Sequence, residues 1–302
     1  MLSLTGALTS VWQRLTHGSA NIAKAKQAEE QRAKPRLSSL GRVAAAMLLL
    51  MVVAVSIGPW FWQVDPLAQN VAERLAPPSL SNPLGTDQFG RDVLARILIG
   101  GRWSLAGATL VCLGTSCLGL IIGACCALGP RWLDYLLSRI TETLQAIPAV
   151  LLALALSAIL SRSFGNLLLA LVLTNWTWYA RIYRALIIKE LAMPYIEGAQ
   201  VIGVKPLAIL TRHVLPNLFG AIVVVATTNF GGVILNLSAL SFIGFGLNPP
   251  TPEWGNLINE SRTFFQREPR LMLIPGLCIA TTVLWINLLG NALRDRLDLD
   301  RR

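Results

Sequence analysis

Long apolar runs separated by short polar segments make up most of the chain after residue 41. Each run is close to or longer than the roughly 20 apolar residues that a helix needs to cross a bilayer core. The pattern therefore predicts an all-α, polytopic membrane protein with six transmembrane helices. The predicted spans are residues 42–62, 103–129, 132–160, 165–188, 214–244 and 271–290.

The predicted spans also divide the chain into regions. Residues 1–41 form a basic N-terminal arm, 63–102 a loop, 103–293 a core of five helices, and 294–302 a tail. The first apolar run begins after some 40 polar residues and is too long for a cleaved signal peptide. Two polar segments interrupt the core, at residues 189–213 and 245–270.

The first of these segments carries a helix–turn–helix pattern. Glu197 stands near a predicted helix start, where the macrodipole favours a negative charge. Gly203 can end this helix in a left-handed conformation, and Pro206 suits the first turn of a second helix. Pro216 then opens the next span. We interpret this compact helical unit as a docking device.

The loop at residues 63–102 is expected to end in an amphipathic helix. Gly85 and Gly90 indicate a turn, and Asp87 could cap a helix that begins near Arg91 and lies on the outer membrane surface until Trp103. Its polar side would carry Arg91, Asp92 and Arg96. Periodicity alone leaves two roles open, a structural anchor and a gate or partner contact.

The segment at residues 245–270 is expected to be stiff, because residues 248–252 contain three prolines. Trp254 suits an interfacial position. The charged residues Glu260, Arg262, Arg267 and Glu268 predict an outward surface for a soluble partner, or a merely solvated loop. The candidate gate or partner-contact residues are Asp87, Arg91, Asp92, Glu253 and Trp254.

Composition and charge agree with a membrane location. Hydrophobic residues make up 54% of the chain and charged residues only 14%, where soluble domains carry about a quarter. The predicted topology places 18 basic residues on the side of the termini and of residues 189–213, and eight on the other side. The positive-inside rule therefore predicts cytoplasmic termini. Topology and lipid headgroups account for the net charge of +10, and no nucleic-acid partner is expected.

Polar residues inside predicted spans are candidates for a translocation pathway, because they are costly in lipid. Hydrogen bonding between helices explains isolated Asn and Thr residues equally well. The candidates are Asn175, Trp176, Trp178, Thr228, Asn229 and Asn236. The five cysteines lie inside spans as small apolar fillers, and no metal-ligand cluster is expected.

Four segments together resemble one family, the inner-membrane permease subunits of ABC importers for dipeptides, oligopeptides and nickel. Glu197-Gly198-Ala199, Gly203 and, after nine intervening residues, His213-Val214-Leu215-Pro216 resemble the EAA loop of these permeases. Residues 82–92 are similar to the subfamily's N-terminal signature. Residues 240–255 and 287–298 are similar to its two C-terminal signatures.

The resemblance implies the type I importer permease fold in the bacterial inner membrane. It implies a homologous second permease, two cytoplasmic ATPases, and a periplasmic or lipid-anchored binding protein that delivers peptides or, alternatively, nickel or a metal chelate. The residues that would couple to the ATPase are Glu197, Gly198, Ala199, Gly203, Leu215 and Pro216. Because the chain has no GxxxxGK[ST] motif, ATP and Mg²⁺ would bind the partner ATPases, and no catalytic residue is expected here. Gly198 departs from the family's alanine, which costs about 1 kcal/mol of helix propensity.

Two other classes of membrane protein are alternatives. An ion-coupled secondary carrier would need ionisable residues at mid-membrane, whereas Glu142 lies near the cytoplasmic end of the third predicted span. A membrane scaffold that recruits soluble proteins would need only the polar segment at residues 189–213. Neither class explains four ordered signatures.

Overall fold

The computed structural model describes residues 38–161 and 163–299, and the predicted basic arm falls almost entirely outside this range. The described residues are helical, with no strand beyond one isolated bridge between Thr86 and Asp92. The α-helices of the described residues are α1 (Ser39–Phe61), α2 (Val93–Leu128), α3 (Arg131–Gln145), α4 (Ala149–Ile159), α5 (Phe164–Leu191), α6 (Pro194–Val201), α7 (Pro206–Ile209), α8 (Leu215–Leu240), α9 (Trp254–Ser261) and α10 (Arg270–Leu299).

Four helices in the described part of the chain are long and apolar enough to cross a membrane. They are α1, α2, the continuous helix Pro206–Phe245 that contains α7 and α8, and most of α10. The pair α3 and α4 makes a fifth if the two count as one bent span. Helix α5 has 28 residues, but polar residues such as Asn175 and Arg181 lower its hydropathy. The count of six spans therefore stays a prediction.

The third predicted span, residues 132–160, is not one straight helix. Helices α3 and α4 meet at 90°. The break falls just before Pro148, because a proline lacks the backbone N–H and disfavours helical geometry in the preceding residue. Helix α3 exposes Trp132 and Tyr135 along its apolar side.

The prediction of a separate amphipathic helix within residues 63–102 is wrong. Helix α2 runs unbroken from Val93 to Leu128, through Trp103. The Asp92 side chain caps it by accepting a hydrogen bond from the Ala95 N–H at 2.7 Å. Arg91, Asp92 and Arg96 are buried rather than solvated. Both arginines pair with Glu260, far along the chain, and Asp92 accepts a hydrogen bond from the Trp62 indole N–H at 3.0 Å.

Helix α2 packs along α5 at the centre of the fold, and α10 packs against α1 and α8. Gly119 and Gly123 on α2 face α5, and a Cβ at Gly123 would lie 2.8 Å from the Ala180 carbonyl oxygen. Small residues four apart allow such close helix contact. Helix α2 therefore reaches both ends of the helix bundle, and each end contains one of the two sites described below.

Candidate functional site

A helical hairpin, residues 194–209, projects from the end of the bundle where α2 finishes. Helix α6 starts at Pro194, carries Glu197 in its first turn, and ends before Gly203, whose φ is +84°. The Gly203 and Val204 N–H groups donate to the last carbonyls of α6, as expected for a left-handed helix end. The predicted helix–turn–helix is confirmed.

The second helix of the hairpin does not stop before the next membrane helix. A π-helical turn, Leu210–Val214, joins α7 to α8, and Pro216 is the second residue of α8. Proline is tolerated there because it lies in a first turn. The hairpin is thereby continuous with a membrane-spanning helix.

The hairpin has one buried anchor and an exposed apolar tip. Ile196 is fully buried among Ile187, Ile209 and neighbouring apolar residues. Val201, Ile202 and Leu207 are 86%, 79% and 69% exposed. Glu197 and Gly198 are exposed as well, while Ala199 is half-buried. The sequence pattern did not lead us to Val201 and Ile202, although an adjacent Val-Ile pair in a polar segment was a signal for them.

A cavity of about 810 Å³ opens between α5, α8 and α10, next to the hairpin. Lys189 and Arg294 lie along it with the polar residues Asn217, Thr228 and Asn291. Its other walls are apolar. This cavity joins the base of the hairpin to the interior of the helix bundle.

The structure does not gather the six predicted pathway residues into one site. Thr228 alone among them lines the cavity, and its hydroxyl donates to the Val224 carbonyl of its own helix at 2.9 Å. Asn175 likewise donates to the Leu171 carbonyl at 2.8 Å. Both hydrogen bonds stay within one helix, so they do not show the hydrogen bonding between helices that was the alternative.

The remaining pathway candidates are spread along α5 and α8. Trp176 is buried, and Trp178 packs edge-on against Tyr179 with ring centroids 5.2 Å apart. Asn229 hydrogen-bonds the Tyr179 side chain. Asn236 is half-buried. Their roles in transport stay predictions.

At the opposite end of the bundle, four charged side chains form a buried cluster, which we call the charged cluster. Arg91 pairs with Asp87 at 2.6 Å and with Glu260 at 2.6 Å, and Arg96 pairs with Glu260 at 3.0 Å. Two cations and two anions balance within it. The cluster connects the start of α2 to α9, a contact that the sequence of neither segment predicts by itself.

Glu253 and Trp254 are also buried in this end of the bundle. Glu253 caps α9 through the Gly255 and Asn256 N–H groups and accepts from the Ser104 hydroxyl at 2.7 Å. Burial raises the pKa of Glu253, while these donors oppose the shift. The Trp254 indole N–H donates to the Ile97 carbonyl at 3.0 Å.

The candidate contact residues Asp87, Arg91, Asp92, Glu253 and Trp254 are therefore interior residues, and they are not displayed to a soluble partner. The prediction of a charged outward surface is wrong at Glu260. Its carboxylate turns inward to two arginines, whereas Arg262 and Arg267 are exposed. Within residues 38–161 and 163–299, no group of three or more His, Cys, Asp and Glu side chains could hold a metal ion.

Comparison with known proteins identifies the fold. Residues 117–302 match the sequence model of one protein family, the binding-protein-dependent transport system inner membrane component. This stretch contains the hairpin and the cavity. The chain belongs to this family. It is an ABC importer permease of the peptide group, a transport subunit and not an enzyme.

Relatives extend the match beyond that stretch. The permease is 36% identical to the dipeptide transport system permease protein DppC of Alkalihalophilus pseudofirmus, over 90% of this chain and 89% of the relative. It is 38% identical to proteins of Brucella suis and Brucella abortus that are named provisionally as peptide transport system permeases, over 85% of this chain and 86% of theirs. The charged cluster is thus part of the region over which full-length relatives align.

Proposed function

We propose that this permease forms half of the translocation pathway of an ATP-driven peptide importer and couples to a cytoplasmic ATPase through Glu197–Gly203. The observation that carries the proposal is the position of the hairpin. It projects from the bundle with an apolar tip, and its base adjoins the 810 Å³ cavity. A partner that moves the hairpin can therefore act on the cavity.

The apolar tip supports docking of a soluble protein. Val201 and Ile202 are exposed on a segment outside the candidate membrane-spanning helices, and the exposed Leu207 lies in the first turn of the helix Pro206–Phe245. Burying one such side chain in an interface contributes roughly 1.5–3 kcal/mol at most. Contiguous exposed apolar residues on a polar segment are typical of an interaction site.

The cavity supports passage of a peptide. Its volume lies within the ~300–1,000 Å³ of small-molecule sites. The lining of apolar walls with a few amide and hydroxyl groups suits a peptide backbone. Lys189 and Arg294 would face the substrate's carboxylate near the inner mouth. The names of the relatives favour peptides over nickel or a metal chelate as cargo.

The importer proposed here contains further parts. A homologous second permease would complete the pathway, and two ATPases would hold ATP and Mg²⁺. An extracytoplasmic binding protein would deliver substrate to the end of the bundle that carries the charged cluster. Both termini and the hairpin would lie on the cytoplasmic side of a bacterial inner membrane, with lipids against the exposed apolar helix faces.

The test is co-purification in mild detergent, compared between wild type, Val201→Glu and Leu80→Glu. Val201 lies at the hairpin tip, while Leu80 is fully exposed at the other end of the bundle, so neither change affects a buried contact. We expect wild type and Leu80→Glu to retain the ATPases, and wild type to import a labelled dipeptide in vesicles. Val201→Glu should lose both. Equal ATPase recovery for all three chains would contradict docking at the hairpin.

A further inference from the structure

Three polar side chains meet where the helical hairpin joins the bundle, and we call them the linking triad. Glu190 lies in the last turn of α5, Tyr195 in the first turn of α6, and Asn217 in the first turn of α8. The Tyr195 hydroxyl donates to Glu190 Oε1 at 2.7 Å. The Asn217 side-chain amide donates to Glu190 Oε1 at 3.0 Å and to the Tyr195 hydroxyl oxygen at 2.8 Å. Each side chain therefore contacts the other two.

Glu190 occupies an unfavourable position for a carboxylate. The residue is only 8% exposed, and it lies at a helix C-terminus, where the macrodipole disfavours negative charge. Among the ion pairs of the described residues, none involves Glu190. A buried carboxylate without a cation depends on hydrogen-bond donors. Tyr195 and Asn217 supply them, so the three residues hold one another in place.

Tyr195 is suited to remain a donor. Partial burial, and then the hydrogen bond to Glu190, raise the pKa of Tyr195 above its ordinary value. The phenol therefore keeps its proton across the physiological range.

The other attachment of the hairpin is apolar. Ile196 packs against residues from α5, α7 and α8. Apolar contact is non-directional, so it holds the hairpin against the bundle without setting its rotation. Hydrogen bonds weaken steeply when they are misaligned. The linking triad therefore sets the orientation of α6 relative to α5 and α8.

The same triad adjoins the cavity. Asn217 lines the cavity directly, and Lys189, the neighbour of Glu190, lines it from α5. A rotation of α6 would pull on the end of α5 and the start of α8 together. These two segments form part of the inner cavity wall.

We propose that Glu190, Tyr195 and Asn217 are positioning residues that transmit movement of the hairpin to the cavity wall. This inference rests on the proposed ATPase coupling. It assigns the transmission to residues outside the Glu197–Gly203 motif. The motif itself would contact the ATPase. The motif would receive the movement, and the triad would pass it on.

The first experiment measures amide hydrogen exchange of residues 196–204 in the purified chain in lipid nanodiscs. Tyr195→Phe keeps the ring and removes the hydroxyl. We expect the hairpin amides to exchange about tenfold faster in Tyr195→Phe, because local opening is no longer restrained by the triad. Thr211→Val is the matched control, since the Thr211 hydroxyl bonds only to the Leu207 carbonyl within the same segment, at 2.9 Å. It should leave exchange at residues 196–204 unchanged.

The second experiment measures peptide imported per ATP hydrolysed by the complete importer in liposomes. We expect this ratio to fall several-fold in Tyr195→Phe while ATP hydrolysis continues. Glu190→Gln keeps a carbonyl oxygen that Tyr195 and Asn217 can donate to, so it should retain most of the ratio. A residue that only stabilised the fold would lower both rates together.

The outcomes separate the two proposals. Unchanged exchange in Tyr195→Phe would overturn the role of the linking triad. Faster exchange with an unchanged peptide-to-ATP ratio would overturn transmission and leave ATPase coupling standing. A wild-type chain that neither binds an ATPase nor imports peptide would overturn the proposed function, and transmission with it.

Discussion

Replacing Glu260 by Gln should strongly destabilise the end of the bundle that carries the charged cluster. Arg91 and Arg96 are each 1% exposed, and Glu260 accepts hydrogen bonds from both. The change leaves two buried guanidinium groups with Asp87 as their one remaining anion in the cluster. Removing one partner of a buried ion pair typically costs about 3–5 kcal/mol.

A thermal melt measures this effect. The buried thiols of Cys112 and Cys126 report unfolding through reaction with a fluorescent maleimide. A loss of about 3–5 kcal/mol corresponds to a Tm decrease of roughly 10 °C for a chain of this size. The matched control is Glu142→Gln, the same substitution in an exposed pair. Glu142 pairs with Arg139 at 2.7 Å, and the two side chains are 61% and 62% exposed, so we expect no measurable change in Tm.

A second variant distinguishes lost charge balance from lost packing. Adding Arg96→Met to Glu260→Gln restores the charge balance, because one cation, Arg91, then faces one anion, Asp87. Methionine also fills much of the arginine volume. We expect this double variant to recover most of the lost Tm. Equal Tm values for Glu260→Gln and Glu142→Gln would refute a stabilising role for Glu260 in the charged cluster.

Three further predictions concern the hairpin and α9. Gly198→Ala should slow amide exchange in α6 and stabilise that helix by up to about 1 kcal/mol, because no atom lies within 4 Å of the added Cβ; faster exchange would contradict this. Gly203→Ala should do the reverse, at a cost of about 1 kcal/mol, because its φ is +84°; an unchanged exchange rate would show that the turn adapts. Glu253 has a raised pKa, so its carboxyl group holds a proton more tightly in the folded chain than in the unfolded chain. The stabilisation from this protonated group is present below pH 4.5 and is lost as pH rises through the raised pKa. Glu253→Gln should flatten that part of the profile of Tm against pH, and an unchanged slope would exclude Glu253 as its source.

Local signals in the sequence were sufficient for the hairpin. Pro194 and Pro206 start its helices, and Gly203 ends the first of them, each through backbone preferences that act over a few residues. Apolar run length likewise predicted the helical membrane class, because a bilayer sets the minimum length. The same rules failed at residues 132–160, where Pro148 outweighed the continuous apolar pattern.

The amino-acid sequence by itself determined that this chain is helical and membrane-spanning and that it carries a helix–turn–helix resembling an importer coupling loop. Only the tertiary structure decided which charges are buried. Arg91 and Glu260 are 169 positions apart, and periodicity within one helix cannot show a partner on another. The same holds for the linking triad, whose three residues lie on separate helices. Short-range rules describe the backbone, whereas ion pairs, cavities and exposed tips depend on which helices pack together.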